Sequence, residues 1–447
     1  MVDKTLDKIN TFVPEKWRWV LLHGGFRKYF KNTGWMMVTK ILSFAISFIS
    51  TIIIARRLGP ENLGQISYSV SFIAIFSFLT FVGLDQILYR DLIKYPEKKN
   101  EYLGSALTIR LIAGFITLLI AITTAFFVKE SKITIILITI ISFTYIFSSF
   151  QIFNYEFQAR VKAKFPSIAS FIVILVLNIL KIITVLLGGG IIFLAIILLL
   201  EPILYALFYL YIYRFKLKER FLDLSFNYNI SKELIKDSWP LIITGAFSFI
   251  YSRIDQIFIK NLIDVKSVGY YDAAVRISEV WYFIPAMIIT SLFPAIINSK
   301  KLSISMYRNR LIKLFWLLLI ISILISIPVF LFSSFIIKFL YGFDFLASIP
   351  ILKIYVWAGV GVSLSTLVNT YLISENYRKI IFFTSFIAMS INVILNLFWI
   401  PLYGINGAAF STLVSYSATP LLLFIFKKTR KDFFAIIKNG ALSKSYE

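Results

Sequence analysis

Residues 191–213 read IIFLAIILLLEPILYALFYLYIY, an apolar run broken by one carboxylate, Glu201, and one proline, Pro202. A helix needs about 20 apolar residues to cross a bilayer core about 30 Å thick. This run is long enough, and the chain repeats the pattern on both sides of it. Further runs lie at about 34–55, 66–88, 103–128, 133–153, 166–187, 238–259, 273–297, 313–337, 349–373, 380–400 and 407–426. Twelve spans use up most of the 447 residues, and no connection is long enough to fold as a soluble domain. The predicted fold class is all-α and integral to the membrane, with twelve transmembrane helices.

Composition agrees. Hydrophobic residues make up 59% and charged residues 15%, against about 45–50% and about 25% in soluble domains. That balance excludes a soluble single-core protein and a disordered chain. Cysteine is absent and histidine occurs once, at His23, which argues against thiol chemistry, disulfides and a His-based metal centre. The net charge of +23 does not point to nucleic acid, because the basic residues lie between the apolar runs. Lys and Arg number 32 in one alternating set of connections, which includes both termini, and 7 in the other. Basic connections stay cytoplasmic, so both termini are expected there. Residues 1–33 carry seven Lys/Arg and no uninterrupted apolar core. No cleavable signal peptide is therefore expected, and Val13–Phe30 reads as an interfacial helix.

The two halves of the chain resemble each other at an offset of 205 residues. Ser43, Ser47, Ser50 and Thr51 in the first span correspond to Ser248, Ser252, Asp255 and Gln256 in the seventh. Leu63-Gly64 corresponds to Val268-Gly269 at the same offset. Six spans separate the copies, so the repeat is parallel, with its pseudo-two-fold along the membrane normal. The expected organisation is an N-terminal segment 1–33, a six-helix bundle 34–213, a cytoplasmic linker 214–237, a second bundle 238–426 and a basic tail 427–447.

Function is sought in the charges that lie within spans, because each costs about 2.5–3.5 kcal/mol at a helix centre on the insertion scale. Eleven occur: Lys40, Arg110, Lys181, Arg253, Arg276, Lys313, Lys353, Asp85, Glu201, Asp255 and Glu279. Lys313, Lys353, Asp85 and Arg110 lie near span ends and are expected to snorkel. Helical spacing places Lys40, Ser43, Ser47 and Ser50 on one stripe, and Ser248, Ser252, Asp255 and Gln256 on another with Arg253 at its edge. Asp272, Arg276 and Glu279 share a face of the eighth span. These stripes predict a shared polar cavity lined by Ser43, Ser47, Ser50, Ser248, Ser252 and Gln256. Basic residues exceed acidic ones in the spans, which suits an anionic ligand such as a pyrophosphate. Lys40, Arg253 and Arg276 are its expected binding residues. Asp255, Glu279 and Glu201 are the candidates for coupling to H+ or Na+. Pro285, Pro294, Pro328 and Pro420 are expected bends. No GxxxxGK[ST] or GxGxxG run occurs, so no nucleotide cofactor, and no other cofactor, is expected.

Four segments carry a family resemblance: FKNTGWMM before Lys40 together with RRLGPENLGQISYS at 56–69, VGYYDAA at 268–274, LYGFDF at 340–345 and PLYGINGAA at 401–409. In these the chain resembles the polysaccharide exporters, specifically the O-antigen (Wzx-type) lipid-linked oligosaccharide flippases. That family belongs to the superfamily that also holds multidrug exporters and the fourteen-span lipid II flippase. The resemblance implies two six-helix bundles, alternating access and a bacterial inner-membrane location. It implies a non-enzymatic flippase that moves undecaprenyl-diphosphate-linked oligosaccharide, an O-antigen or related repeat unit of lipopolysaccharide biosynthesis, to the periplasmic leaflet. Other polysaccharide-assembly proteins are the further partners it suggests. Two alternatives remain open. A small-molecule multidrug exporter would call for a dominant acidic site. A membrane polymerase or glycosyltransferase would call for a large acidic extramembrane loop.

Overall fold

The computed structural model describes residues 24–81, 83–162, 164–426 and 428–430. The helix expected at Val13–Phe30 and the tail 427–447 lie largely outside these residues. Among the described residues the regular structure is entirely helical. In chain order the helices are α1 Gly24–Ala74, α2 Ser77–Phe81, α3 Leu84–Lys94, α4 Lys99–Phe127, α5 Lys132–Ser142, α6 Thr144–Ser148, α7 Ile152–Ala159, α8 Lys164–Leu186 and α9 Ile191–Lys216. There follow α10 Tyr228–Leu262, α11 Val265–Glu279, α12 Phe283–Lys300, α13 Ile304–Leu331, α14 Ser333–Leu340, α15 Ser348–Tyr355, α16 Ala358–Ser374, α17 Arg378–Tyr403 and α18 Ile405–Leu422.

Among the described residues, ten helical stretches are long and apolar enough to cross a membrane. Eleven of the twelve expected spans map onto them, because the first stretch, Val38–Ala74, contains two limbs. Gly59 breaks the stretch with a left-handed φ of 74°, a conformation that glycine adopts at little cost. Pro60 then opens the second limb, where its missing N–H is not needed. The expected loop 56–65 thus contracts to a sharp turn at Gly59. The twelfth expected span is α18. The fourth, eighth and tenth are interrupted, at 143, 280–282 and 356–357. α9 runs on through Pro202, beside Glu201.

The helices face outward with apolar side chains. On α8, Ile172, Val176, Ile179 and Ile183 are exposed while Val173, Leu177 and the polar Asn178 are buried. Lipid solvates the aliphatic face, so polar groups turn inward to find partners.

The chain divides into two compact units. The first comprises residues up to Thr51 with Leu79–Ile242, and the second Ile52–Phe78 with the chain from Ile243 onward. The core of the first gathers Leu84, Leu88, Leu103, Phe153, Phe157 and Tyr213. That of the second gathers Phe293, Leu314, Leu318, Leu367, Val368 and Leu372.

Within the second unit the 205-residue repeat appears as a contact. A methyl group on Gly64 would overlap the carbonyl oxygen of Val265, and one on Gly269 would overlap that of Pro60. Pro60 and Val265 are themselves 205 residues apart, so each helix presents the same two positions to the other. Small residues let backbones approach this closely where packing, rather than water, drives association.

Candidate functional site

α10 carries Asp255 into the second unit, where its side chain is 4% exposed. Oδ1 accepts a hydrogen bond from Asn396 Nδ2 of α17 at 2.6 Å. Oδ2 accepts from the Tyr271 hydroxyl of α11 at 2.6 Å and from Thr412 Oγ1 of α18. Asn396 Nδ2 also donates to Asn392 Oδ1 at 3.1 Å, and Asn392 Nδ2 donates to Ser415 Oγ at 3.3 Å. The buried Asn396 Oδ1 accepts no hydrogen bond. Among the described residues, no Lys or Arg pairs with Asp255. A carboxylate without a cationic partner is expensive to bury. Carboxylate and hydroxyl oxygens from α10, α11 and α18 form a hard donor set of the kind that holds a small cation, with the Asn396 amide nitrogen beside them. No group of three or more His, Cys, Asp or Glu able to hold a metal occurs among the described residues.

Next to this cluster runs a chain of charged and polar groups. Gln256 Oε1 accepts from Ser71 Oγ at 2.8 Å, and its Nε2 donates to Asp272 Oδ1 at 3.3 Å. Asp272, 3% exposed, pairs one turn along α11 with Arg276. Arg276 is nonetheless 41% exposed through its side chain. Glu279 accepts from the Tyr355 hydroxyl of α15 at 3.2 Å, and Arg253 lies close enough to act on it electrostatically. Ser248 and Ser252 are exposed, and each gives its hydroxyl to a carbonyl of its own helix.

The remaining expected site residues belong to the first unit. Ser47 Oγ accepts from Asn178 Nδ2 of α8 at 3.4 Å, and Ser50 Oγ donates to the Asn178 carbonyl at 3.5 Å. Ser43 is buried and Lys40 exposed. Glu201 hydrogen-bonds with the Tyr205 hydroxyl one turn further along α9. The structure therefore gathers Arg253, Asp255, Gln256, Arg276 and Glu279 in the second unit, and places Lys40, Ser43, Ser47, Ser50 and Glu201 in the first.

One expectation is overturned. Arg110 does not snorkel: it is 1% exposed and ion-paired with Asp85 at the start of α3. Its guanidinium carbon lies 5.9 Å and 6.0 Å from the ring centroids of Phe81 and Tyr155. Sequence position gave its depth wrongly because α3 and α4 bring a carboxylate to the buried guanidinium. Asn392, Asn396, Tyr271, Thr412 and Tyr355 were missed. Their signal was available: Asn392 and Asn396 lie one turn apart, as do Ser411 and Ser415 around Thr412, in otherwise apolar helices.

Three of the resemblance segments also converge. Leu58–Asn62, Lys266 with Tyr270, and Asp344 line one cavity of about 310 Å³ in the second unit. The Ser348 hydroxyl at the start of α15 bonds the Tyr270 carbonyl at 2.8 Å and ties one of these segments to α15. The family model described as polysaccharide biosynthesis protein matches residues 29–300, more than half of the chain. The chain belongs to the polysaccharide biosynthesis protein family. No curated protein sequence matches it. Among solved structures this family member is similar to the lipid II flippase MurJ in an inward closed conformation, with 19% identity, a TM-score of 0.67 and 90% of each chain covered. It is also similar to an inward-facing multidrug resistance MATE family transporter of the MOP superfamily. There the identity is 13% and the TM-score 0.65, over 89% of this chain and 96% of that one. At these identities the likeness shows the fold: a multi-pass, all-helical membrane protein of the polysaccharide biosynthesis family built on the MurJ and MATE architecture.

Proposed function

We propose that the protein is a flippase that carries a polyprenyl-diphosphate-linked oligosaccharide, with undecaprenyl as the lipid, from the cytoplasmic to the periplasmic leaflet. Its setting is the bacterial inner membrane, with both termini in the cytoplasm. The observation that carries the reading is Arg276, a guanidinium in a membrane-crossing stretch with 41% of its side chain open. Such a group favours an anion, and in a low-dielectric setting the attraction is stronger than at a surface. Arg253 and Lys40 are the further basic residues assigned to the diphosphate or to acidic sugars. The family's description and the flippase fold support the substrate class. The reading assigns no bond-making step and no catalytic residue.

Coupling is assigned to Asp255, with Na+ preferred over H+. A proton needs only the carboxylate, whereas the hydroxyl oxygens of Tyr271 and Thr412 beside Asp255 add ligands that a cation requires. Glu279 and Glu201 are the secondary coupling candidates. A small-molecule exporter is the second reading. It draws on the MATE-like fold and on Glu279, whose carboxylate is bonded by Tyr355 and lies close enough to act electrostatically on the Tyr282 and Tyr416 hydroxyls, an aromatic setting that suits an organic cation.

The test uses the purified chain in liposomes that hold a fluorescent polyprenyl-diphosphate oligosaccharide, with lectin accessibility reporting the leaflet. Flipping that depends on a Na+ gradient and is lost in Arg276→Ala at normal protein abundance is expected. Absence of flipping, with accumulation of a cationic dye instead, would replace this reading with the second.

A further inference from the structure

The carboxylates Asp255 and Glu279 stand at the two ends of one chain of contacts. Tyr271 is 2% exposed and gives its hydroxyl to Asp255 Oδ2 at 2.6 Å. Its ring meets that of Tyr355 edge to face, with centroids 5.8 Å apart and planes at 88°. Tyr355 is 3% exposed and gives its own hydroxyl to Glu279 Oε1 at 3.2 Å. Arg253 is the basic residue that acts most strongly on Glu279. We infer that Tyr271 and Tyr355 form a positioning link, through which a cation on Asp255 sets the place of Glu279 and so the charge presented beside Arg253. The inference rests on the ion-coupled reading of Asp255 and adds the residues that transmit it.

The physical reason lies in hydroxyl direction. Without a cation, Asp255 Oδ2 collects hydrogens from both Tyr271 and Thr412. A bound cation needs those carboxylate lone pairs and repels any hydrogen aimed at it. Both hydroxyls must then turn their oxygens to the cation and send their hydrogens elsewhere. For Tyr271 the neighbouring acceptor is Thr412 Oγ1, 3.1 Å away. The phenol oxygen and Asp255 Oδ2 stand only 2.6 Å apart, and two oxygens that share a cation must separate further than that, so the phenol shifts when the site fills. A buried ring packed at interior density has little free volume in which to move alone, so the shift is passed to the Tyr355 ring. At 3.2 Å the bond from Tyr355 to Glu279 is longer than the usual O–H···O range of about 2.5–3.0 Å, so a small displacement makes or breaks it. Filled and empty states thus give two discrete arrangements, as coupling between sites requires.

Tyr355→Phe tests the link, because it deletes one oxygen and keeps the ring. The reporter is Ser252→Cys, an exposed position beside Arg253 in a chain with no native cysteine. On purified full-length protein in detergent, Na+ binding is measured by calorimetry, and the maleimide labelling rate at position 252 is measured with and without Na+. With Tyr355 in place, Na+ should change the labelling rate several-fold. In Tyr355→Phe the Na+ affinity should stay essentially unchanged while the labelling response disappears. Tyr271→Phe should weaken both, since its oxygen lies at the cation. A purely structural Tyr355 would lower the melting temperature and leave the response intact, and that result overturns the link. So does a reporter that ignores bound Na+ with both tyrosines present. If the protein with both tyrosines binds no Na+ at all, the ion-coupled reading of Asp255 fails, and that failure is recognisable by its own measurement.

Discussion

Arg110 in the first unit and Asp255 in the second are both buried charges in membrane-crossing helices, and they are satisfied in opposite ways. Arg110 has an oppositely charged partner, Asp85, and aromatic rings on its flanks. Asp255 has only neutral partners: an amide and two hydroxyls. A paired charge keeps its counter-charge in one arrangement, although Nε and Nη1 of Arg110 are buried without a hydrogen bond among the described residues. A carboxylate ringed by groups that can either donate or accept is stable with its hydrogen bonds and is also ready for a cation. The difference separates a charge that holds helices together from one that can respond to an ion.

The largest effect that would break or sharpen this contrast is expected at the paired site. Asp85→Asn leaves the Arg110 guanidinium buried without its counter-charge, which should cost about 3–5 kcal/mol. Thermal unfolding in detergent should show a large loss, and Asp85→Asn with Arg110→Met should recover much of it. If the single change is silent, the pair is not structural and the contrast collapses. At Asp255 the expected pattern is the reverse. Asp255→Asn keeps the shape and removes only the charge, so melting should change little, while calorimetric Na+ binding and gradient-dependent transport should vanish. A collapse in abundance instead would make Asp255 a second structural anchor.

The smallest effect is expected outside the spans, where water competes with ion pairs. Glu219 is bonded by Lys99 and by Arg160 Nη2, the latter at 3.1 Å. Burial acts to raise its pKa, but the bonds from these two cations prevail and hold it below the usual carboxylate range. A carboxyl lowered in the folded state adds stability above its unfolded pKa and loses it as pH falls through the folded value. Glu219→Gln should therefore cost about 0.2–1 kcal/mol at neutral pH. The deficit should shrink in melts run below the normal carboxylate pKa. A deficit that persists unchanged in acid would rule out the charge as its source.

The candidate site was legible to an uneven degree. Asp255, Gln256, Arg276 and Glu279 stood out because a charge or amide in an apolar run is costly wherever the helix packs. Asp272 and Arg276, four residues apart on one helix face, are ion-paired. Along the stripe on α10, Ser248 and Ser252 are exposed while Asp255 and Gln256 are buried. The shared stripe of Ser47 and Ser50 faces Asn178, a partner in a different helix. Helical periodicity says which residues share a face. It does not say what that face meets.

What the sequence by itself determined was the class of the molecule: an all-helical membrane protein of twelve apolar runs, with the segments that identify its family. Hydropathy is a property of about 20 consecutive residues, so it can be read without knowing any long-range contact. Only the tertiary structure decided which polar groups meet. Asn396 and Thr412 reach Asp255 from 141 and 157 residues away, and the repeat-related Gly64 and Gly269 helices cross at one place. Between helices in lipid there is little hydrophobic driving force to favour one pairing over another. Close packing and the cost of an unsatisfied polar group choose the partners, and both belong to the folded arrangement in space.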